Sequence, residues 1–313
     1  MISIIIPVKN GAKYIKETLN RIYQQKIEDK FEIIVIDSGS TDGTIEMVRA
    51  FPDIQLIQIP AHEFGHGRTR NLGAKTAKGE YLVYLNSDAW PADDNWLNNL
   101  VKNFKGDLGI AGIYSRHIPR PGCYLFIERE IKKTFPEEKY IKDKNAMANA
   151  SSYKKDIFGS KYKLSKLVRF STVSAAIRRE VWERIPFDSN IISLEDQDWA
   201  SRVLLAGYKI VYEPTSMVIH SHNYGFLELA KLYFIDRRVL DRIINKKYNG
   251  ILFALPFLLV ESARNIYLTL CRDFPYILMK KIALNKKIKE MYIAIVSRIM
   301  IVLGKEAAVF LHS

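Results

Sequence analysis

Three short polar segments of this sequence each follow an apolar run that predicts a buried strand. They are residues 7–11 (PVKNG), residues 37–44 (DSGSTDGT) and residues 86–88 (NSD). The carboxyl ends of parallel strands meet at one edge of a sheet, which is where ligands bind in open α/β folds. Taken together, the three segments predict a polar ligand site at that edge.

Two aspartates in these segments are the strongest ligand candidates. Asp37 ends a strand and can accept a hydrogen bond from a base or a ribose, and we favour that role over a structural one. Asp42 is as well explained by capping of the helix that is predicted to start near Thr44. Asp88 ends a buried strand without a following helix, and a carboxylate there can hold Mg²⁺ or Mn²⁺ that bridges phosphates.

A metal ion at Asp88 needs further ligands, and histidines follow one of the last predicted strands. His220 and His222 are two residues apart, so both lie on one face if the segment is extended. A pair of structural histidines is the competing interpretation, and we favour it for His220.

Residues 195–198 (EDQD) open a predicted helix with three carboxylates. Acidic residues in a first turn ordinarily complement the helix dipole, which explains some of them. Three exceed what capping needs, so one can be a general base for an acceptor hydroxyl.

Strands and helices alternate in the first half of the chain. This order predicts an α/β fold, with a mostly parallel mixed sheet flanked by helices. Residues 120–170 have weak periodicity and predict a loop or a helical insertion, and the chain is helical from residue 226 onward. The predicted strands are residues 2–8, 31–36, 54–59, 81–85, 109–114, 174–177, 208–212 and 217–220; the predicted helices are residues 12–25, 44–50, 68–77, 94–104, 179–185 and 195–205.

The composition is that of a globular protein, and its charge is unevenly spread. The 313 residues are 48% hydrophobic and 26% charged, which excludes a disordered or disulfide-stapled chain. The two cysteines, Cys123 and Cys271, form no metal-ligand pattern and are expected to be reduced. Residues 1–120 carry 15 Lys and Arg against 14 Asp and Glu, whereas residues 220–313 carry 15 against 7, so the excess of +13 lies toward the C-terminus.

The apolar runs are too short to predict a membrane-spanning helix. Residues 250–260 contain Pro256, and Arg298 interrupts residues 291–303. The N-terminal run predicts a strand rather than a signal peptide. We therefore expect a cytoplasmic protein, with the inner face of the cell membrane as a site of peripheral contact.

Four motifs in this order resemble the inverting family 2 glycosyltransferases, which have the Rossmann-like GT-A fold. They are IPVKNG, IIVIDSGSTDGT, GRTRNLGAKTAKGEYLVYLNSDAWP and SLEDQDWASRVLLAGYKIVYEP, and the resemblance covers about residues 1–225. Residues 62–67 (HEFGHG), with Arg70 and Asn71 and the later Ile118 and Pro119, are similar to the bacterial rhamnosyltransferase branch. That branch implies dTDP-L-rhamnose as donor, and a glycan or lipid-diphosphate-linked acceptor.

The resemblance also implies roles for individual residues. Asp196 matches the catalytic base, and Glu195 would orient the acceptor. The segment at Asn86 matches the DxD motif with Asn in its first position, so Asp88 would hold Mg²⁺ or Mn²⁺ with weakened affinity, and His222 would be a further ligand. Arg202 is a weaker candidate for the diphosphate, with a salt-bridged helix residue as the alternative. The remaining residues expected to bind the nucleotide sugar are Pro7, Val8, Asn10, Asp37, Ser38, Arg70, Asn71, Asn86 and Ser87.

The resemblance divides the chain into a GT-A catalytic domain, residues 1–225, and a basic helical region, residues 226–313. Within the first, residues 1–115 would bind the nucleotide sugar and residues 116–225 the acceptor. The second has basic clusters beside apolar helical faces, which suit an anionic membrane and equally a helical bundle or a homo-oligomer interface. Nucleic acid is not expected, because no binding motif is present.

Two other functions stay open at the level of the sequence. One is a family 2 glycosyltransferase that uses a different donor, such as a UDP-linked hexose. The other is a catalytically impaired scaffold that binds a nucleotide sugar, which Asn86 in the DxD position suggests and the intact Glu195–Asp196 pair opposes.

Overall fold

The computed structural model describes residues 1–143, 168–243 and 262–310. The chain forms two compact units. The first comprises residues 1–117 and 135–220, and the second comprises residues 118–134 and 221–313. The helix at Leu125–Thr134 therefore groups with the C-terminal helices. The first unit ends at residue 220, five residues before the predicted domain boundary at residue 225.

A nine-stranded mixed sheet forms the first unit. Its strands are β1 (Ile2–Val8), β2 (Phe31–Asp37), β3 (Ile54–Gln58), β4 (Tyr81–Leu85), β5 (Trp90–Pro91), β6 (Ile110–Ile118), β7 (Tyr140–Lys142), β8 (Ser174–Arg178) and β9 (Lys209–Ile219). The order is β3-β2-β1-β4-β8-β6-β9-β5, and β7 pairs with β9. Strands β3, β2, β1 and β4 are parallel, whereas β8 pairs antiparallel with β4 and with β6.

The helices of the described residues are α1 (Ile15–Tyr23), α2 (Thr44–Arg49), α3 (His66–Thr76), α4 (Trp96–Val101), α5 (Leu125–Thr134), α6 (Arg179–Arg184), α7 (Glu195–Leu205), α8 (Phe226–Ile243), α9 (Phe274–Met279) and α10 (Leu284–Phe310), with 3₁₀ turns at Ala61–Glu63 and Lys102–Lys105 and a π-helical turn at Thr269–Asp273. The predicted fold class, an α/β mixed sheet flanked by helices with C-terminal helices, is confirmed.

The parallel strands are apolar on both faces because helices cover both sides of the sheet. Ile4 and Ile6 point into one core, with Trp96 and Leu100 of α4 in the same cluster. On the other face α3 approaches so closely that a side chain at Gly73 would overlap the Cγ2 atom of Ile5. The sheet register pairs Val8 with Asp37, so the loops after β1 and β2 start side by side.

The structure departs from the predicted elements in several places. The strands predicted at residues 208–212 and 217–220 form one continuous strand, β9. Pro214 cannot donate a ladder hydrogen bond, but it lies between the residues that pair with β7 and those that pair with β5, so it does not interrupt the strand. Helix α1 starts at Ile15 rather than at residue 12, and α3 starts two residues earlier than predicted. Helix α5 and strand β7 form in the region predicted as a loop or helical insertion, of which residues 144–167 lie outside the described residues.

The second unit is a group of helices around a separate apolar cluster. Leu125 and Phe126 of α5 pack there with Ile277 of α9 and Ile301 of α10. A side chain at Gly304 would overlap the backbone of α8, so α8 and α10 are closely packed. Within the described residues, none of the helices combines the length and the apolar character needed to cross a membrane. Residues 250–260, considered above for such a span, lie outside the described residues.

Candidate active site

The loops that follow β1 and β2 are joined by hydrogen bonds. The Asn10 amide donates to Ser40 Oγ at 2.8 Å, and the Thr41 amide donates back to Asn10 Oδ1 at 2.9 Å. Asn10 has a positive φ of 50°, which its short amide side chain tolerates. Asp42 accepts the amide hydrogens of Ala12 at 3.0 Å and Thr44 at 3.2 Å, so it joins the turn before α2 to the neighbouring loop, while the N-cap position itself is Gly43. These hydrogen bonds hold the two loops together at this edge.

The Asp37 carboxylate lies at this edge, and only one of its two oxygens accepts hydrogen bonds from the described residues. Oδ1 accepts the amide hydrogens of Gly39 at 2.9 Å and Ser40 at 3.0 Å. Oδ2 is buried and has no hydrogen-bond partner among the described residues. A buried acceptor without a partner is costly, so Oδ2 fits a donor from a ligand. The ligand role expected for Asp37 is compatible with this geometry and stays a prediction.

The other residues predicted in these two loops are already engaged. The Val8 carbonyl accepts the amide of Ser38 at 3.0 Å and its hydroxyl at 3.1 Å, and Ser38 is buried. Pro7 is half-buried and is paired with Ile36 in the sheet. These contacts hold the loops in register, and direct contact of the three side chains with a nucleotide stays a prediction.

The segment after β4 forms a fixed turn that presents Asp88. The Asn86 amide donates to the Val173 carbonyl at 3.0 Å, and the Ala89 amide closes the turn onto the Asn86 carbonyl at 2.9 Å. The Ser87 carbonyl accepts the Thr18 hydroxyl at 2.7 Å. The contacts that hold this turn use backbone atoms of Asn86, Ser87 and Ala89, so the main chain fixes the position of Asp88.

Asp88, His220 and His222 together form a candidate metal site. Asp88 Oδ2 is 3.5 Å from His220 Nε2. Each of the three residues offers one ligand atom, and these atoms lie within 4.8 Å of one another. One carboxylate oxygen and two imidazole nitrogens fit a divalent cation such as Mn²⁺. His220, for which the sequence favoured a structural role, is therefore brought to the same group.

His117 lies behind His220 and was not singled out by the sequence. Its ring stacks on Phe135 with centroids 3.9 Å apart and meets the His220 ring edge-on at 5.6 Å. Ser171 Oγ is 3.3 Å from His117 Nε2. Burial lowers the pKa of His117 well below its usual range, and the neighbouring His220 adds to this. His117 is thus neutral and supports His220 by packing.

Arg70 joins the turn after β4 to the start of α7. Its Nη1 donates to Glu195 Oε1 at 2.8 Å, and its Nη2 donates to Asn86 Oδ1 at 3.3 Å. Arg70 and Glu195 are both buried, so neither charge is screened by water. Asn86 therefore serves as an acceptor for Arg70, and an Asp there would be a second carboxylate beside this guanidinium.

Asp196 is next to this ion pair and has a raised pKa. Its Oδ2 accepts the Thr172 amide hydrogen at 3.1 Å, and its Oδ1 accepts that of Gln197 at 2.8 Å. Burial, followed by the negative charge of Glu195, raises the pKa of Asp196 to about 7, against the opposing charge of Arg70. A carboxylate that titrates near neutrality is suited to general-base work, because it can both accept and release a proton.

Three consecutive residues before β8 connect these parts. Ser171 contacts His117, the Thr172 amide binds Asp196, and the Val173 carbonyl binds the Asn86 amide. The sequence contains no signal for this segment, because two of its three contacts use backbone atoms. It places the candidate base and the turn that contains Asp88 at fixed positions relative to each other.

Asn71 and Arg202 are engaged by the protein. Asn71 Nδ2 donates to the Phe187 carbonyl at 2.8 Å, and its Oδ1 accepts from Trp182 Nε1 at 2.9 Å. Arg202 Nε donates to Asp198 Oδ2 at 2.8 Å, one helical turn away, which is the salt-bridged alternative considered for it. The structure thus gives Asn71 an anchoring role for the loop after α6, and a nucleotide role for either residue stays a prediction.

Comparison with known families gives a match over more than half of the chain. The model of the family described as Glycosyl transferase family 2 matches residues 3–184. The match includes the loops after β1, β2 and β4, and it ends eleven residues before Glu195.

Curated relatives include two O-antigen chain rhamnosyltransferases. RfbN of Salmonella typhimurium is 35% identical over 244 residues, which cover 74% of this chain and 70% of the relative. WbaN of Salmonella anatum is 29% identical over 234 residues, with the same coverage of both chains.

Solved structures of other glycosyltransferases share the fold. The mannosyltransferase PcManGT from Pyrobaculum calidifontis, in complex with GDP-Man and Mn²⁺, aligns with a TM-score of 0.59 and 21% identity over 99% of this chain and 86% of its own. S. aureus TarS 1-349, in complex with UDP-GlcNAc, aligns with a TM-score of 0.56 and 16% identity over 98% of this chain and 90% of its own.

Proposed function

The chain belongs to glycosyl transferase family 2, and from this premise we propose that it transfers L-rhamnose from dTDP-L-rhamnose to a glycan hydroxyl, with inversion, in the synthesis of a surface polysaccharide. The family makes it a nucleotide-sugar-dependent glycosyltransferase. The choice of rhamnose is supported by the names of RfbN and WbaN. A lipid-diphosphate-linked oligosaccharide is the acceptor that suits this role.

The proposed mechanism rests on one observation, which is that burial and Glu195 raise the pKa of Asp196 to about 7. In its ionised form it accepts the proton of the acceptor hydroxyl, whose oxygen then attacks the anomeric carbon. The bond from that carbon to the diphosphate breaks in the same step, and the nucleotide diphosphate leaves with the electron pair. One displacement from the opposite face inverts the configuration, so no covalent enzyme intermediate is needed.

The residues around Asp196 support this step. The Arg70 ion pair holds Glu195 at the start of α7, where its second oxygen can orient an acceptor hydroxyl. The charge of Glu195 also keeps the pKa of Asp196 near neutrality. Asp37 Oδ2, at the edge formed by the first two loops, would accept a hydrogen bond from the nucleotide.

Asp88, His220 and His222 would hold Mg²⁺ or Mn²⁺. When bound there, the ion would supply positive charge that stabilises the leaving diphosphate. Asp88 is the only carboxylate in its three-residue turn, since Asn86 replaces the first acidic residue of the motif. We therefore expect this site to be weaker than one with two carboxylates.

The test is release of dTDP from dTDP-L-rhamnose by the purified chain in the presence of acceptor, with and without Mn²⁺. We expect acceptor-dependent release that chelation abolishes, and loss of transfer in Asp196→Asn with donor binding retained. Binding of every donor without turnover by the unmodified chain would favour the scaffold alternative. Tighter binding of UDP-linked hexoses than of dTDP-L-rhamnose, measured by calorimetry, would overturn the choice of donor.

A further inference from the structure

Helix α10 exposes a stripe of apolar residues, while its buried side combines apolar residues such as Ile293 and Ile301 with three polar ones. Glu290, Ser297 and Arg298 are buried in the second unit. Tyr292 is 60% exposed and Ile299 50% exposed, and Ile295 and Leu303 are exposed on the same side. These four residues are three or four positions apart, so they form one stripe along the helix. A helix at the surface of a water-soluble unit normally has polar residues along its outward side.

The preceding helical segment, residues 262–279, also exposes apolar residues. Its buried positions include Asn265, Thr269 and Asp273. Its outward positions include apolar side chains that are each more than half exposed: Ile266, Tyr267, Leu270, Leu278 and Met279. Two neighbouring segments of the chain therefore expose apolar residues, and we refer to these residues together with the stripe on α10 as the apolar face.

The orientation of both segments is fixed by ionic contacts inside the second unit. Arg298 Nε donates to Asp273 Oδ2 at 3.0 Å, and Asp273 also pairs with Arg129 of α5 at 2.6 Å. Glu290 accepts the Leu125 amide hydrogen at 2.8 Å. Turning α10 to bury its apolar stripe would break these contacts and leave charges unpaired, which is strongly unfavourable. These interior contacts therefore keep the apolar face turned toward solvent.

Between residues 262 and 305 the exposed charged residues are all basic. Between residues 262 and 305 the two acidic residues, Asp273 and Glu290, are both buried. Lys281 is exposed in the turn that joins the two segments, and Lys286 and Lys289 are exposed in the first two turns of α10. Lys305 lies near the other end of α10, about 24 Å from Lys289 at a rise of about 1.5 Å per residue. The outward surface is therefore apolar, with exposed lysines at one end and the half-buried Lys305, which lies over the Tyr233 ring, at the other.

We propose that this apolar face docks on an anionic lipid surface. Exposed apolar patches of this kind mark interaction sites, and lysines at their rim are attracted to anionic headgroups while the apolar side chains enter the interface. A second copy of the chain is a poorer occupant, because the exposed charged residues between 262 and 305 are all basic, and pairing two such segments would bring like charges together. This proposal does not depend on which sugar the enzyme transfers.

Cys271 provides a reporter in this face. It is exposed between Leu270 and Arg272, and Cys123 is the other cysteine of the chain. In Cys123→Ser, an environment-sensitive fluorophore on Cys271 should shift to the blue with vesicles of phosphatidylcholine and phosphatidylglycerol, and not with phosphatidylcholine alone. The matched control carries the same label at Leu108→Cys in a chain lacking both natural cysteines, because Leu108 is exposed in the first unit.

Substitutions that leave the interior intact separate the two contributions. Ile295→Ser with Ile299→Ser should weaken vesicle binding at least tenfold, and so should Lys281→Glu with Lys286→Glu and Lys289→Glu. The charge-matched control is Lys16→Glu with Lys75→Glu and Lys78→Glu, which are exposed lysines of the first unit. Circular dichroism should show unchanged folding, since all these side chains face solvent.

Two results would overturn the proposal. Absence of binding to anionic vesicles by the unmodified chain would do so directly. Dimers in sedimentation experiments that Ile295→Ser with Ile299→Ser dissociates would identify a second copy as the occupant instead.

Discussion

Asp196 gains its chemistry from its neighbours rather than from its residue type. A solvated aspartate is fully ionised at neutral pH and is a weak base, whereas burial and the adjacent Glu195 raise the pKa of Asp196 to about 7. The ion pair with Arg70 limits this shift, because its positive charge favours the ionised form. The site therefore has a base poised near the pH at which it must act.

This titration predicts the pH dependence of transfer. The base must be ionised, so kcat/KM should fall as the pH decreases through about 7. Glu195→Gln removes a negative charge that raises the pKa of Asp196, so the acidic limb should move to lower pH. Glu195→Asp keeps the charge and serves as the control, with a limb near that of the unmodified enzyme. A limb that does not move in Glu195→Gln would contradict the coupling.

The same shift predicts a conflict between stability and activity at Asp196. The folded chain keeps a proton up to about pH 7, whereas the usual pKa of this group is 3.8. Stability from this difference is lost as the pH rises through that window, so above it the ionised carboxylate destabilises the fold. Asp196→Asn should raise the melting temperature at about pH 8, by about 2–4 °C per kcal/mol recovered, and less as the pH falls.

Asp198→Asn is the matched control for this stability measurement. Asp198 is on the same helical turn and forms an ion pair with Arg202 at 2.8 Å. Its substitution should leave the melting temperature unchanged or lower it. An Asp196→Asn variant that melts at or below the unmodified chain at about pH 8 would show that burial does not strain this carboxylate.

At the scale of elements, the sequence predicts the parallel half of the sheet well. Each of these strands is a short apolar run followed by turn residues, and the polar segments after β1, β2 and β4 were placed correctly at the ends of their strands. Those features are local, so a single sequence contains them. The candidate ligands Asp37 and Asp88 follow from the same rule.

The antiparallel half and its contacts could not be predicted in the same way. Strands β5 and β7 have only two and three residues, and their pairing with β9 joins parts of the chain far apart in sequence. The contacts of residues 171–173 use backbone groups of Thr172 and Val173, which residue identity does not reveal. The ion pair of Arg70 with Glu195 likewise spans 125 positions.

Helix α3 positions Arg70, and its packing on the sheet can be tested at Gly73. Alanine is normally better than glycine in a helix by about 1 kcal/mol. At Gly73 an added Cβ would overlap Cγ2 of Ile5 and approach Ile36 Cδ1 at 3.0 Å. We therefore expect Gly73→Ala to lower the free energy of unfolding by about 1–3 kcal/mol in denaturant titrations, and to lower kcat by moving Arg70.

Gly106→Ala is the control for this substitution. Gly106 has a negative φ of −99°, and no atom lies within 4 Å of the position its Cβ would take. Its replacement should leave stability unchanged or raise it slightly by restricting the unfolded chain. Equal effects of the two substitutions would argue against close packing of α3 on β1.

At the scale of the whole molecule, the net charge differs between the part that contains most of the proposed donor site and the part that contains the proposed lipid-binding face. Residues 1–120, which contain most of the proposed donor site, carry a net charge of +1, whereas residues 220–313 carry +8. The basic excess is thus not mainly a device for binding the nucleotide. It coincides instead with the segments that expose the apolar face and its lysines.

This separation predicts that salt acts on membrane binding more than on chemistry. The Debye length falls from about 10 Å at 0.1 M to about 3 Å at 1 M, so attraction of Lys281, Lys286 and Lys289 to anionic headgroups should weaken strongly across that range. The buried pair of Arg70 and Glu195 is shielded from bulk ions, so kcat with a water-soluble acceptor should change little. Vesicle flotation and transfer assays at matched salt concentrations would measure both. Parallel loss of the two activities would mean that the basic surface serves the reaction itself, whereas selective loss of flotation would assign it to the lipid surface.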